Sequence, residues 1–457
     1  MFSNLGPYEA MQSASLPWSP RIPAHWSAKR SKTVMHGVDV RSKSGSEELL
    51  TVSSNRGVVR RSTATVSMFQ AESYIGHKLC WPGDLVINSL WAWSKGLGVA
   101  RDHGIVSTAY GVYRTRPDSP LDPSYLHHLV RSTPFQWELQ VRSQGIWKSR
   151  LQITDARWLD APLLLPPLDE QAAVVKYLVH ANARIDIAIA SKRRLIALLE
   201  EQRLEMIARL VGGADGERMR LKYCATLQTG LTLGKDYPQQ GLIEYPYLRV
   251  ANVQMGRVDI ADLATLAVPR DEAERRRLRS GDVLMTEGGD IDKLGRGTVW
   301  GGEVEPCLHQ NHVFAVRCGD RLLPEFLAAW LAAPEARDYF YSTAKKTTNL
   351  ASTNSTVVRE LPISVPPIDI QRRLLDRLAA SSHPFNEATA RADREINLLR
   401  EFRTRLVGDV VTGQLDVREV SASLSDVDHA AAGGRCDDPA DSDLAASIDE
   451  VTEASED

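Results

Sequence analysis

The densest stretch of usable chemistry in this chain is Thr286-Glu287-Gly288-Gly289-Asp290-Ile291-Asp292-Lys293-Leu294-Gly295-Arg296-Gly297, followed by His309-Gln310-Asn311-His312. Glycines let backbone N–H groups approach a phosphate, but this run lacks the Gly-Lys-Ser/Thr ending and following helix of a nucleotide-binding loop. Gln and Asn can bond adenine through two atoms, and Arg and Lys can bond guanine or phosphate. Lys293, Arg296, Gln310 and Asn311 therefore suit DNA bases and backbone. The two histidines could ligate a metal, yet no third ligand stands at a characteristic spacing, and hydrogen-bonded strand residues are the simpler reading.

A second polar run, Ser342-Thr343-Ala344-Lys345-Lys346-Thr347-Thr348-Asn349, offers Lys345, Lys346 and Asn349 to phosphates. Its counterpart in the first half is Arg142-Ser143-Gln144-Gly145-Ile146-Trp147-Lys148-Ser149-Arg150, which adds Lys148 and Arg150. Arg56, Arg60 and Arg61 form another basic cluster, and Trp91, Trp93 and Lys95 interleave aromatics with a base. A charge run alone is usually a solvated face. Recurrence at equivalent places in both halves favours contact. No Asn/Asp-Pro-Pro-Tyr methyltransferase motif, Gly-x-Ser-x-Gly elbow, His-Glu-x-x-His or nuclease core is evident, so the catalytic set is empty.

The elements that must hold these residues are repeated. Pro166-Pro167-Leu168-Asp169-Glu170-Gln171 lies 366 − 166 = 200 residues before Pro366-Pro367-Ile368-Asp369-Ile370-Gln371, and the match runs without a gap to Gly213 over Gly413. Positions seven apart read Val175, Asn182, Ile189, Ile196, Arg203 and Leu210, which with an interleaved set form a 3.5-residue seam with a few polar members, the pattern of a helix in a coiled coil. The prolines pre-set the lead-in, Asp169 and Asp369 can cap the first turn, and Gly213 and Gly413 suit the stop. His383-Pro384 predicts a break or kink in the second copy. A straight helix over 169–211 would be about 60 Å long.

What precedes each copy is mixed α/β. Leu49–Val52, Asn55–Val59, Gly83–Ile87 and Gly111–Tyr113 read as strands, and Asp122 caps a helix from Pro123. Gly281-Asp282-Val283-Leu284 echoes Gly83-Asp84-Leu85-Val86, and a helix is expected over 325–341. The divisions are 1–165, 166–213, 214–365, 366–419 and an acidic, disordered tail at 420–457.

The chain has 457 residues and a formal net charge of −3. Residues 420–457 hold eleven acids against Arg435, a charge of −10, so the remainder carries −3 + 10 = +7. A basic body favours a polyanionic partner. Five scattered cysteines, Cys80, Cys224, Cys307, Cys318 and Cys436, argue against a zinc site or a disulfide framework. Met1 to Ala10 carry no signal pattern, and a cytoplasmic location is expected.

Two variable domains, each followed by Pro-Pro-Leu/Ile-Asp-x-Gln and a heptad helix, resemble the specificity subunit of type I restriction-modification systems. Leu16-Pro17-Trp18 with Ile22-Pro23-Ala24-His25-Trp26 is similar to that family's opening. Tyr245–Val253, Gly288-Gly289-Asp290 to Arg296, and Gln310-Asn311-His312 are similar to a common target-recognition domain. Ile370, where the pattern has Glu, and Pro384 depart from it. The resemblance implies an α+β chain of two target-recognition domains and two long helices, paired as an antiparallel coiled coil with a pseudo-twofold repeat. It implies a DNA-binding subunit without catalysis, reading a bipartite asymmetric site in double-stranded DNA. Two methyltransferase subunits and restriction/translocase subunits would dock on it, holding the S-adenosylmethionine, ATP and Mg that this chain does not bind. A coiled-coil scaffold without a DNA role and a stand-alone nuclease are the rival readings.

Overall fold

The computed structural model describes residues 5–64, 71–145, 151–232, 234, 237, 241–254, 256–289, 291, 294–346 and 351–425. The chain divides into two compact units, residues 1–192 with 394–457, and residues 193–393. The first unit thus contains the start of the first long helix, Leu168–Ile207, and the end of the second, Ile368–Val411. The second unit contains the complementary parts.

Each unit is built on a four-stranded antiparallel sheet of the same order. In the first, Leu85–Asn88 lies between Tyr110–Thr115 and Leu97–Val99, and Met35–Gly37 forms the far edge. In the second, Val283–Thr286 lies between Val313–Cys318 and Gly297–Val299, and Ala225–Thr229 is the far edge. The first three residues of each central strand are apolar and buried on both faces, consistent with helices on one side and further strands on the other.

The turn before each central strand explains the repeated Gly-Asp. Gly83 and Gly281 adopt φ of 93° and 89°, a region open to glycine. The carboxylates of Asp84 and Asp282 are buried and take two bonds each from Arg114 (2.7 and 2.7 Å) and Arg317 (2.8 and 2.7 Å). A third bond comes from the backbone, from Trp81 N–H at 2.8 Å and from Arg279 N–H at 2.9 Å. Burial of a carboxylate is tolerable because its charge and lone pairs are matched.

Two short helices follow each sheet. Asp122 caps Pro123–Arg131 as expected, accepting from Tyr125 N–H at 2.9 Å. The helix expected over 325–341 is instead two, Pro324–Leu331 and Pro334–Thr343, because Pro334 cannot continue the first. The exit strands Pro162–Leu165 and Pro362–Val365 pair antiparallel with Ser27–Arg30 and Glu217–Arg220.

The lead-in motif is held by its glutamine. Gln171 is fully buried, donates from Nε2 to the carbonyls of Pro120 and Pro166 (both 2.8 Å), and accepts Asp122 N–H at 2.8 Å. Gln371 repeats this with the carbonyls of Arg321 (2.8 Å) and Pro366 (2.7 Å) and with Leu323 N–H at 2.9 Å. Asp169 and Asp369 lie within the first turn, one residue beyond the helix start, so neither is the cap.

Two other expectations need correction. Pro384 lies inside an unbroken helix; it is exposed, and one missing backbone bond does not overcome the packing along a 44-residue element. Both glycines stand at the stops: Gly413 has the left-handed φ of 71°, while Gly213, with φ of −79°, caps the π-helical turn Ala208–Gly212 that ends the first helix. Residues 420–425 are ordered: Arg418–Ala422 is helical, and Ser425 O accepts His180 Nε2–H at 2.8 Å. Val417 and Val420 supply the apolar anchor that this part of the predicted tail needed.

Within the first unit, Leu406, Val410 and Val411 join Val174, Tyr177, Leu178 and Ala181 in one core. Asp186 pairs with Arg403, and Lys192 pairs with Glu395 at 2.5 Å, so the two helix segments run in opposite senses. Within the second unit, Leu374, Leu375 and Leu378 share a core with Leu204, Ile207 and Val211.

Glu170 has a separate task. Its buried carboxylate receives Tyr8 O–H and Trp26 Nε1–H (3.0 Å), and His25 Nε2 lies at 2.7 Å. It therefore fastens the amino-terminal segment to the first helix. Tyr8 also lies under Arg418, whose guanidinium is 5.0 Å from the ring centre. At the equivalent place in the second helix Ile370 has no polar group to make such bonds.

Replacing Gln171 or Gln371 by Ala strands buried backbone groups at one junction and should cost about 3 kcal/mol. Urea unfolding of the full chain measures this. Q171E and Q371E, which lose the donor, should not restore the midpoint.

Candidate nucleic-acid interface

In the second unit a small sheet draws the separated polar runs together. Gly288–Gly289 pairs with Ala351–Ser352, which pairs with Lys345–Lys346. Thr353 N–H donates to Glu287 O at 2.8 Å, and Glu287 N–H donates to His312 O at 2.8 Å. The glycine-rich run, the Gln310-Asn311-His312 segment and the lysine run thus meet at one end of the four-stranded sheet. Tyr341 lies beside them, exposed, with Lys346 Nζ 3.9 Å from its ring centre.

Gln310 and Asn311 are partly exposed, and their backbones are fixed by bonds from Gln310 N–H to Leu248 O (2.9 Å) and from Asn311 N–H to Leu231 O (2.9 Å). Their side chains are set on a rigid base. Arg296 is partly buried beside a cavity lined by Arg203, Ile207, Glu325 and Leu378, away from the lysine sheet's own residues. Lys293 and Asn349 lie outside the described residues, as do Lys148 and Arg150.

The two histidines separate in role. His309 is fully buried, donates from Nδ1 to Val313 O at 2.7 Å, and its bare Nε2 faces the Gln228 amide at 3.4 Å. Burial pushes its pKa down to about 4, so it stays neutral. His312 is exposed and its Nδ1 lies 2.5 Å from Glu287 Oε2. No group of three or more His, Cys, Asp or Glu among the described residues is arranged to hold a metal.

In the first unit the predicted residues are more dispersed. Arg56 lies in the turn and Arg60 at the end of the second strand of the hairpin Leu50–Ser53 with Gly57–Arg60. Arg56 donates to Thr63 O at 2.9 Å, Arg60 pairs with Asp102 at 2.6 Å, and Arg61 donates to the Tyr74 hydroxyl at 3.3 Å. The Asp102 bond raises the Arg60 pKa. These bonds set the arginines along the hairpin while leaving Arg60 half exposed.

Of the interleaved aromatics and base, Trp91 is buried and so is not placed to contact DNA. Trp91 is 7% exposed and packs on Trp93 with ring centres 5.5 Å apart. Trp93 is partly exposed, with Nε1–H donating to Leu90 O at 2.9 Å. Lys95 has φ of 65° and its Nζ lies 3.4 Å from Thr133 Oγ1. Burial, then the Arg131 charge, lower the Lys95 pKa. The turn packs Trp91 inside and leaves Lys95 partly exposed.

Sequence reasoning missed Arg131, which organises this region. Its guanidinium donates to Ser54 O (2.7 Å), Leu97 O (2.6 Å) and Lys95 O (3.1 Å), tying the hairpin turn to the Lys95 loop. No local pattern marks such a residue, because its partners are carbonyls distant in sequence. The Gln144 to Gln152 bridge lies where the second unit has its lysine strand, and Ile153 N–H donates to Ser89 O at 3.0 Å, as Thr353 does to Glu287.

One framework used twice, ending in two differently furnished polar faces and linked through long helices, defines a duplicated recognition protein. No family model matches the chain. It is 21% identical over 352 residues to the EcoKI type I restriction enzyme specificity subunit of Escherichia coli K12, covering 70% of this chain and 75% of that protein. A putative MjaX type I restriction enzyme specificity subunit of Methanocaldococcus jannaschii is 22% identical over 188 residues, covering 41% and 43%. Among solved structures, a chain from work on assembly and conformational transition of the type I R-M system superposes with a TM-score of 0.55 at 18% identity, covering 85% of this chain and 98% of that one. That likeness concerns the fold. In sequence the chain is similar to type I restriction enzyme specificity subunits.

The buried neutral state of His309 has a pH consequence. Its folded pKa lies below the unfolded value of 6.5, so the unfolded chain binds the extra proton first. Stability of the second unit should fall as pH drops from about 6.5 towards 4, by on the order of 3 kcal/mol. Denaturation midpoints of H309Q compared with the parent between these pH values measure it; the variant should lose this part of the slope.

Proposed function

We propose that this chain is the non-catalytic, DNA-reading subunit of a type I restriction-modification complex. Each unit reads one half of a bipartite, asymmetric site in double-stranded DNA. The carrying observation is the convergence of Gly288-Gly289, Gln310-Asn311 and Lys345-Lys346 on one sheet end, which joins phosphate-binding to base-reading chemistry. The names of the curated relatives support the same reading.

The two long helices pair antiparallel as a coiled coil and hold the half-sites at a set separation. The opposed sense of the Asp186–Arg403 and Lys192–Glu395 pairs supports that arrangement. Leu198 and Leu398, identical positions of the repeat, are 41% and 62% exposed. Equivalent exposed leucines suit docking of two copies of a methyltransferase subunit, with restriction/translocase subunits completing the assembly. Methyl transfer, ATP use and cleavage belong to those partners, which bind S-adenosylmethionine, ATP and Mg. Among the described residues no helix is long and apolar enough to cross a membrane, and a cytoplasmic place of action follows from the DNA substrate.

Titration of the full complex with duplex DNA at several salt concentrations tests the reading. K345A and K346A should each flatten the logarithmic salt slope by about 0.9 per lost phosphate contact. Slopes equal to that of the parent would favour the scaffold alternative.

A further inference from the structure

The two units place different side chains at one framework position. Ser89 stands five residues beyond Asp84, and Glu287 stands five residues beyond Asp282. Each closes the central strand and accepts a backbone N–H from beyond the basic run, Ser89 from Ile153 and Glu287 from Thr353. Across the sheet, Ala109 and His312 stand five residues before the paired arginines Arg114 and Arg317. The same two positions are linked in both units. Ser89 Oγ–H donates to Ala109 O at 3.0 Å, whereas Glu287 Oε2 meets His312 Nδ1 at 2.5 Å.

Glu287 is an anionic group where the surrounding chemistry suits phosphate. Lys345 and Lys346 lie on the same small sheet, and Gln310 and Asn311 precede His312. A carboxylate facing phosphates is repelled. It gains only against a donor, and the donors that DNA offers in the major groove are the exocyclic amines of cytosine and adenine. His312 holds Oε2, while Oε1 has no partner among the described residues. The backbone is clamped on both sides, so the free oxygen is presented from a fixed point.

We infer that Glu287 is a specificity-determining residue of the second unit, accepting a hydrogen bond from the exocyclic amine of one cytosine or adenine, with His312 as its positioning residue. This rests on the DNA-reading assignment above. Ser89, shorter, uncharged and with its O–H given to Ala109 O, gives the first unit a different preference at the equivalent place. The shared framework thus explains how one fold reads two unlike half-sites.

The test uses the complete complex and a set of duplexes, each with one base pair of the site replaced. The parent should discriminate about tenfold at one base pair of one half-site. E287Q and E287A should reduce this below about twofold at that pair alone, leaving the other half-site and the thermal midpoint unchanged. H312A should weaken the same discrimination, and H312Q, whose amide can donate to the carboxylate, should recover it. Unchanged discrimination, or weakening spread evenly over all positions, would overturn the inference while leaving DNA reading intact. A parent complex with no preference at any position would overturn the DNA-reading assignment and this inference with it.

Discussion

Everything distinctive about this chain hangs on a side-chain amide that joins a helix to a domain. A helix that begins on a Pro-Pro pair has no proline N–H at its lead-in, and the carbonyls around it would be buried without donors. Gln171 and Gln371 supply two donors and one acceptor each from a fully buried position, satisfying the junction and fixing the angle at which the helix leaves. Because both junctions use the same atoms in the same way, two divergent domains can be mounted on equivalent rods. Faces at the sheet ends are then free to change without disturbing the mounting.

The departures from symmetry have equally local causes. Glu170 stands where an amino-terminal segment brings Tyr8, His25 and Trp26 to it, and the equivalent Ile370 has no polar group to make such bonds. Gly413 lies against Pro23 and Trp26, where an added Cβ would meet Pro23 Cδ at 2.4 Å. Its left-handed turn lets the chain come back over the first unit, with Asp416 N–H donating to Gly6 O at 2.8 Å. Gly213 leads instead towards the next domain and needs no such reversal.

Much of the architecture was legible before any coordinates. The gapless 200-residue repeat, the Gly-Asp turns and the Asp122 cap are local signals, each following from backbone sterics or from the spacing of apolar residues. Pro384 was misread because a residue that breaks a short helix is tolerated in a long one held by distant contacts. Arg131 was missed for the converse reason, since its four carbonyl partners include none that sequence proximity would suggest.

The candidate face divides along the same line. Residue types alone marked Gln310, Asn311, Lys345 and Lys346 as suited to DNA. Which of the marked residues share a surface was a matter of strand pairing. The bonds that join Gly288–Gly289 to Ala351–Ser352, and those to Lys345–Lys346, gather the second unit's runs, while packing turns Trp91 inward and ties Arg60 to Asp102. Composition and periodicity act over a few residues and so record the repeat, the helices and the available chemistry. Burial and long-range pairing act across the whole domain, and they alone select which of those groups remain at the surface.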